Sequence, residues 1–199
     1  PAVVTVLMAY RDALDAKEIG VMQELARYWV DIERKLAADI DALALEFARR
    51  RESGEAITAQ MVRKEKRYIA LQKQIAQQID RFNLRAETAI TLAQKEFALL
   101  GVSAANDAIA AIYNDVGRMG NWNRIDTKTV EALSGRASNG SPLRTLLTND
   151  YQQAADGLIN SLVNGIARGQ NPAQTALDMV DGMGMGLDRA LLIARTETA

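Results

Sequence analysis

Carboxylates are the side chains of this sequence that could do chemistry, because histidine and cysteine are both absent. Their absence excludes thiolate chemistry, disulfides, the usual zinc sites and any mechanism with an imidazole base. Asp178, Asp181 and Asp188 lie near a glycine-rich segment at residues 182–186. Their spacing differs from that of a calcium loop, which needs oxygen ligands at alternate positions and a bidentate glutamate. We interpret them as helix-surface and helix-cap residues.

The glycine-rich segment also lacks the features of a phosphate-binding loop. A P-loop needs a lysine followed by serine or threonine after its second glycine, and a dinucleotide fingerprint needs a preceding strand. Neither feature is present, so a turn between helices is the interpretation we adopt. Because no catalytic set can be assembled, we predict a protein that is not an enzyme and has no cofactor, metal ion or small-molecule substrate.

Basic residues form the second constellation, in two groups on either side of a predicted helix joint. The seven residues are Arg49, Arg50, Arg51, Arg63, Lys64, Lys66 and Arg67. In a helical hairpin both groups meet at one end, which we call the basic tip. Residues 46–67 hold seven basic and four acidic side chains, a local balance of +3, within a chain of net charge −1.

Three interpretations of the basic tip stay open. It could be a solvated helix end, where basic residues are favoured by the helix dipole. It could instead contact DNA phosphates or an acidic protein surface. No aromatic residue except Tyr68 is interleaved with the basic residues, which argues against stacking on single-stranded bases.

Two long helices must position these basic residues. Over residues 7–51 proline is absent and apolar side chains recur at steps of three and four, the pattern of one apolar helix face. A Ser-Gly-Glu joint at residues 53–55 interrupts the pattern, which resumes over residues 57–100. Gly101 is a natural stop for the second helix. The sequence therefore predicts an antiparallel hairpin of two long helices.

Shorter helices are predicted in the second half. One runs from Ser103 to about residue 116 and another from residue 150 to residue 168. Thr148 or Asn149 is the expected cap of the latter, and Gly169 its expected end.

Glycines and asparagines between residues 117 and 142 predict irregular structure there. Two more short helices are expected at residues 172–180 and from residue 188 onwards. The predicted fold class is all-α: a long antiparallel helical hairpin over residues 1–101, followed by a smaller bundle of short helices over residues 102–199. No apolar run is long enough to span a membrane, so no membrane association is expected.

A more specific pattern lies in the last fifty residues. A helix that ends in glycines leads to a second short helix, and an Ala-Arg-Thr-Glu motif follows. The residues that carry it are Gly165, Gly169, Pro172, Arg189, Ala194, Arg195, Thr196 and Glu197. This order resembles the head-morphogenesis domain of tailed-bacteriophage minor head proteins, the group that includes the Mu F-like proteins. The resemblance extends over roughly residues 130–199.

The resemblance implies a structural virion protein, located in the phage head near the portal vertex and in the host cytoplasm during assembly. Its implied partners are the portal protein, the major capsid protein or both, with packaged double-stranded DNA as a further contact. It would assist head assembly, DNA packaging or DNA delivery. Two alternatives stay open: an N-terminal targeting or delivery module with a downstream toxin or transferase domain, and a coiled-coil adaptor unrelated to phage.

Arg195 and Glu197 need partners elsewhere in the fold, because helical residues two apart do not face each other. We expect them to fix the last helix against the earlier bundle rather than to catalyse a reaction. So short a helix holds only if residues 191–193 are largely buried. Arg195 is then expected to reach an acidic side chain or helix-end carbonyls, with residues 150–168 as the expected source.

Overall fold

The computed structural model describes residues 2–115, 127–137, 140–171, 174, 191–193 and 195–196. The helices are α1 (Ala2–Glu52), α2 (Ala59–Lys64), α3 (Lys66–Asp115), α4 (Thr127–Leu133) and α5 (Leu143–Arg168). Within these described ranges there is no β-strand, only an isolated bridge between Arg136 and Pro142. The all-α prediction is confirmed.

Helices α1 and α3 form the predicted antiparallel hairpin. Three ion pairs join them, and as the residue number increases along α1 the number of its partner on α3 decreases, which shows the antiparallel arrangement. The pairs are Lys17 with Glu96, Glu24 with Arg85 at 3.0 Å, and Glu46 with Arg67 at 3.4 Å. Because each helix has about 50 residues at about 1.5 Å per residue, the hairpin is about 75 Å long.

The apolar stripe of each long helix supplies most of the core. Trp29 is 1% exposed and Phe82 is fully buried, and their rings meet edge to face with centroids 4.7 Å apart. Burying a side chain of this size contributes about 1.5–3 kcal/mol. Trp29 is therefore a packing anchor between α1 and α3. The other buried residues of the two stripes include Leu25, Ile32, Leu36, Ile40, Leu43, Phe47, Leu71, Ile75, Ile79, Ala86 and Ile90.

Helix α5 lies along α3 and completes a three-helix core at the basic tip. Its fully buried side chains include Leu143, Leu147 and Leu162. Towards the other end of the hairpin the packing is lighter: no described residue of α1 before Leu25 is buried, and α4 lies on α3 beside Ala98 and Val102. We call this part of the hairpin the open end. Its exposed apolar side chains include Val4, Leu7, Met8, Leu99 and Ile112.

The second long helix differs from the prediction at both ends. It is preceded by the separate short helix α2, because Glu65 adopts an extended backbone with φ −67° and ψ 133°. Gly101 does not end α3, which continues through Ser103 to Asp115. A helix-interior glycine costs only about 1 kcal/mol. Here it also allows close packing, since a Cβ at Gly101 would lie 3.2 Å from the hydroxyl oxygen of Tyr10.

The predicted start of α5 was wrong by about two turns. The helix begins at Leu143 after Pro142, so Thr148 and Asn149 lie inside it and are not its caps. The buried side chains of Leu143 and Leu147 extend its apolar face into the earlier turns.

Three further expectations concern the second half. The segment predicted to be irregular contains helix α4, and the boundary placed between residues 101 and 102 falls inside α3. Of the helix expected at residues 172–180 only residue 174 is described, and it is helical. The glycine-rich turn and the start of the last helix lie outside the described residues.

The turn before α5 is attached to α3 by a side-chain amide. Gln94 Oε1 accepts a hydrogen bond from the Gly135 N–H at 2.8 Å, and its Nε2 donates to the Arg136 carbonyl at 2.9 Å. Gly135 has φ +78°, a left-handed conformation that favours glycine. This amide contact fixes where the chain turns back along α3. Among the described helices, none is long and apolar enough to cross a lipid bilayer.

Candidate functional site

The basic tip forms as predicted, but much of its charge is used within the protein. Arg50 pairs with Glu55 through two hydrogen bonds of 2.6 and 2.7 Å, and with Glu65 at 3.4 Å. Its guanidinium also lies 4.9 Å from the centre of the Phe47 ring. The hydrogen bond to Glu55 raises the pKa of Arg50, and the same bond lowers the pKa of Glu55. Arg50 therefore joins the end of α1 to the connection that follows it.

Arg51 closes the C-terminal end of α5. Its Nη2 donates to the carbonyls of Ile166 at 2.8 Å and Ala167 at 3.0 Å. These carbonyls belong to the last turn of the helix, beyond its regular i→i+4 hydrogen bonds, and the helix dipole favours a cation there. The guanidinium also lies against Gly169, where an added Cβ would be 2.6 Å from Nη1.

Arg63 and Arg67 are more exposed but also have partners. Arg67 Nε lies 3.4 Å from Glu46, and Arg63 Nη2 lies 3.4 Å from Asn160 Oδ1. Arg63 also acts on Tyr68: burial raises the pKa of Tyr68, and the positive charge and hydrogen bond of Arg63 partly oppose that rise. These contacts connect α2, α3 and α5 at the tip.

Arg49, Lys64 and Lys66 remain as the exposed cations of the tip. Among the described residues none of the three forms an ion pair. Arg49 also lines a shallow groove of about 630 Å³ between α1 and α3, together with Leu45, Glu46, Arg50 and Arg67 among others. Of the seven predicted contact residues, these three are therefore the ones whose charge is available to a partner.

The Ala-Arg-Thr-Glu motif is described in part, at Arg195 and Thr196. Just before them Ile193 is buried, at 5% exposure, in the same core as the hairpin and α5, whereas Leu192 is 52% exposed. The expectation that residues 191–193 are largely buried is thus wrong for Leu192. Thr196 Oγ1 donates to the Leu192 carbonyl at 2.8 Å.

Arg195 reaches an acidic side chain, but from a different helix than expected. Its Nε lies 3.2 Å from Glu18 Oε1 on α1, and its side chain is 71% exposed. Residues 150–168 were expected to supply this partner. Glu18 lies on the first helix, 177 positions away along the chain. Local periodicity cannot predict a pairing between residues so far apart.

The glycines of the family motif lie at the end of α5, where they were expected. Gly169 ends the helix with φ +76°, and its N–H donates to the Ile166 carbonyl at 3.2 Å. The next N–H, of Gln170, donates to the Gly165 carbonyl at 3.0 Å. Pro172, Arg189, Ala194 and Glu197 lie outside the described residues.

One polar residue of interest was missed by the reasoning from sequence. Asn83 is 6% exposed, and its Oδ1 has no hydrogen-bond partner. It lies on the buried face of α3, four positions after Ile79, where the surrounding pattern is apolar. A polar residue on an apolar stripe was the signal that could have found it.

Known proteins supply no assignment: no family model, curated protein or solved structure matches the chain. The described residues also offer no candidate metal site, since they contain no cluster of three or more potential carboxylate, imidazole or thiolate ligands.

Proposed function

We propose that this chain is a structural minor head protein of a tailed bacteriophage, associated with the portal vertex. The observation that supports the proposal best is the packing of its Arg-Thr segment. Ile193 enters the core and Arg195 pairs with Glu18, so the segment resembling the family motif is integrated with the hairpin. This is the behaviour of a structural motif rather than of a reactive one.

The two ends of the hairpin suit different partners. The open end presents exposed Leu7 and Leu99, each 51% exposed, in the part of the hairpin where no described residue of α1 is buried. Exposed apolar groups of this kind fit a protein partner, which in this proposal is the portal or the major capsid protein. The basic tip lies at the opposite end of a rod about 75 Å long, where its exposed cations fit DNA phosphate or an acidic protein surface.

The portal contact is tested by co-purification with the ring-shaped portal assembly of the parent phage. The unmodified chain should elute with the ring, and Leu7→Gln with Leu99→Gln should abolish that association. Ile69→Gln is the matched control, because Ile69 is a similarly exposed apolar residue, at 45%, near the tip. Failure of the unmodified chain to associate with the portal ring, or loss with the control alone, would contradict the proposal.

The DNA contact is tested by the salt dependence of duplex binding. Replacing Arg49, Lys64 and Lys66 with Gln should flatten the log–log slope by up to about 2.7, at about 0.9 for each phosphate contact. Arg34, Lys35 and Lys73 are exposed cations outside the tip, and replacing them with Gln is the matched control. An unchanged slope in the tip variant would assign the tip to protein contacts or to solvent.

A further inference from the structure

A groove of about 240 Å³ lies between α3 and α5, away from the exposed cations of the tip. Each helix contributes five described residues to it, and the steps along the two helices are the same: four, three, one and three. The lining residues are Gln72, Ala76, Ile79, Asp80 and Asn83 on α3, and Thr148, Gln152, Ala155, Asp156 and Ile159 on α5. Two residues of each set are buried and the other three are exposed or half-buried, so the groove has a buried floor and an exposed rim.

The floor combines apolar side chains with an amide oxygen that has no hydrogen-bond donor. Ile79, Ala155 and Ile159 are each buried. Asn83 lies beside them, nine-tenths buried, and its Oδ1 accepts no hydrogen bond. A buried acceptor without a donor is costly, and a structure retains one only where another requirement is met. A ligand N–H that enters the groove would supply the missing hydrogen bond to Asn83 Oδ1.

The rim is rich in acceptors and carries negative charge. Asp80 and Asp156 supply one carboxylate from each helix, and Gln72 and Gln152 add amide oxygens. The ten lining residues include no lysine or arginine. A ligand that matches this arrangement is cationic, donates several hydrogen bonds in different directions, and has a short apolar stem.

We propose that the groove between α3 and α5 binds a guanidinium group on an aliphatic stem, as in arginine or a free alkylguanidine. The guanidinium has five N–H donors in a planar fork and no acceptor, which suits separated acceptors better than a compact ammonium does. Its stem lies on the apolar floor while its charge stays at the rim, as long basic side chains do at protein surfaces. This site is independent of the portal and DNA contacts proposed above.

The proposal is tested on the full chain by NMR titration with butylguanidinium, with neutral butylurea as the shape-matched control. Butylguanidinium should shift the side-chain amide signals of Asn83 and Gln152 saturably, with a Kd on the order of 1–10 mM for so small a ligand. Butylurea should bind at least about tenfold more weakly, because it lacks the charge. Equal binding of the two probes, or no saturable shift, would overturn the proposal.

Two variants separate recognition from folding. Asp80→Asn with Asp156→Asn should weaken butylguanidinium binding about tenfold, as expected for the loss of two partly exposed charged acceptors. Asn83→Leu should abolish binding while leaving the ligand-free protein as stable or more stable, because it replaces a buried amide whose oxygen has no donor with an apolar group of similar size. If the aspartate variant fails to fold, Asn83→Leu decides alone. Undiminished binding by folded Asn83→Leu contradicts the proposal.

The source of the guanidinium is resolved by a third probe, N-acetylarginine amide. Tighter binding of this probe than of butylguanidinium would support an arginine side chain presented by a protein partner. The reverse order would support a free alkylguanidine as the occupant.

Discussion

Arg51 is the residue whose replacement should most directly weaken the attachment of α5 to the hairpin. Its guanidinium donates at 2.8 and 3.0 Å to two carbonyls in the last turn of α5. A hydrogen bond with a charged donor contributes about 1.5–3 kcal/mol, and a cation at a partly buried helix C-terminus contributes up to about 2 kcal/mol. One guanidinium provides both effects, and water replaces part of them in a variant. We therefore expect Arg51→Met to lower the free energy of unfolding by about 1–3 kcal/mol.

Urea denaturation followed by circular dichroism at the helical band measures this loss. With a slope of about 2 kcal/mol per molar urea, a loss of 2 kcal/mol lowers the midpoint by about 1 M. Arg49→Met is the matched control, because Arg49 belongs to the same helix turn and is exposed; its effect should stay within about 0.5 kcal/mol. Arg51→Lys should fall between the two, because it keeps the charge and loses the planar fork.

Gly169→Ala provides the second side of a double-mutant cycle. Alone it should cost about 1–2 kcal/mol, since alanine is strained at φ +76° and its Cβ would displace the Arg51 guanidinium. In the Arg51→Met background there is no guanidinium to displace, so the double variant should lose less stability than the two single variants lose together. Strict additivity, or equal stability of Arg51→Met and Arg49→Met, would refute the capping role.

Three other substitutions test the ion pairs and the core. Glu55→Gln should make stability less dependent on pH in the acid range. The hydrogen bond to Arg50 lowers the pKa of Glu55 from its ordinary value of 4.5. The pair therefore stabilises the protein above pH 4.5, and its contribution is lost as the pH falls through the lowered pKa. Urea titrations between about pH 5 and pH 3 measure this, and an unchanged profile would count against the pairing. Arg195→Ala should cost at most about 1 kcal/mol, because the Arg195 side chain is 71% exposed; a larger drop in thermal stability would contradict this. Phe82→Ala should cost about 3–5 kcal/mol in urea unfolding, and a loss below about 1 kcal/mol would show that the core relaxes around the cavity.

Periodicity predicted the hairpin well because its cause is local. Apolar residues spaced three and four positions apart, such as Leu25, Trp29 and Ile32, lie on one face of a helix whatever packs opposite, and all three are buried. The end of a helix is decided differently. Gly101 has the residue type of a helix stop, but the contact with Tyr10 on the other helix makes a helical glycine acceptable there. That contact joins positions far apart in sequence.

In the candidate site too, local features were predicted and contacts between distant residues were not. The meeting of the basic residues at one end follows from the hairpin alone, and the prediction was correct. Which of them remain available depends on partners such as Glu55 and the α5 carbonyls, which only the three-dimensional packing brings near. The pairing of Arg195 with Glu18 was not predicted for this reason. Asn83 was missed because its significance depends on α5, which lies opposite it in the groove.

The contact between Arg51 and α5 also has a consequence for the order of folding. The two arms of the hairpin are joined by a short connection at the tip, so they can zip together from that end at a small entropic cost. The bond from Arg51 to Ala167 closes a segment of 116 residues, and loop-closure entropy rises with the logarithm of such a length. Docking of α5 should thus follow hairpin formation, and substitutions in its contact with Arg51 should accelerate unfolding more than they slow folding.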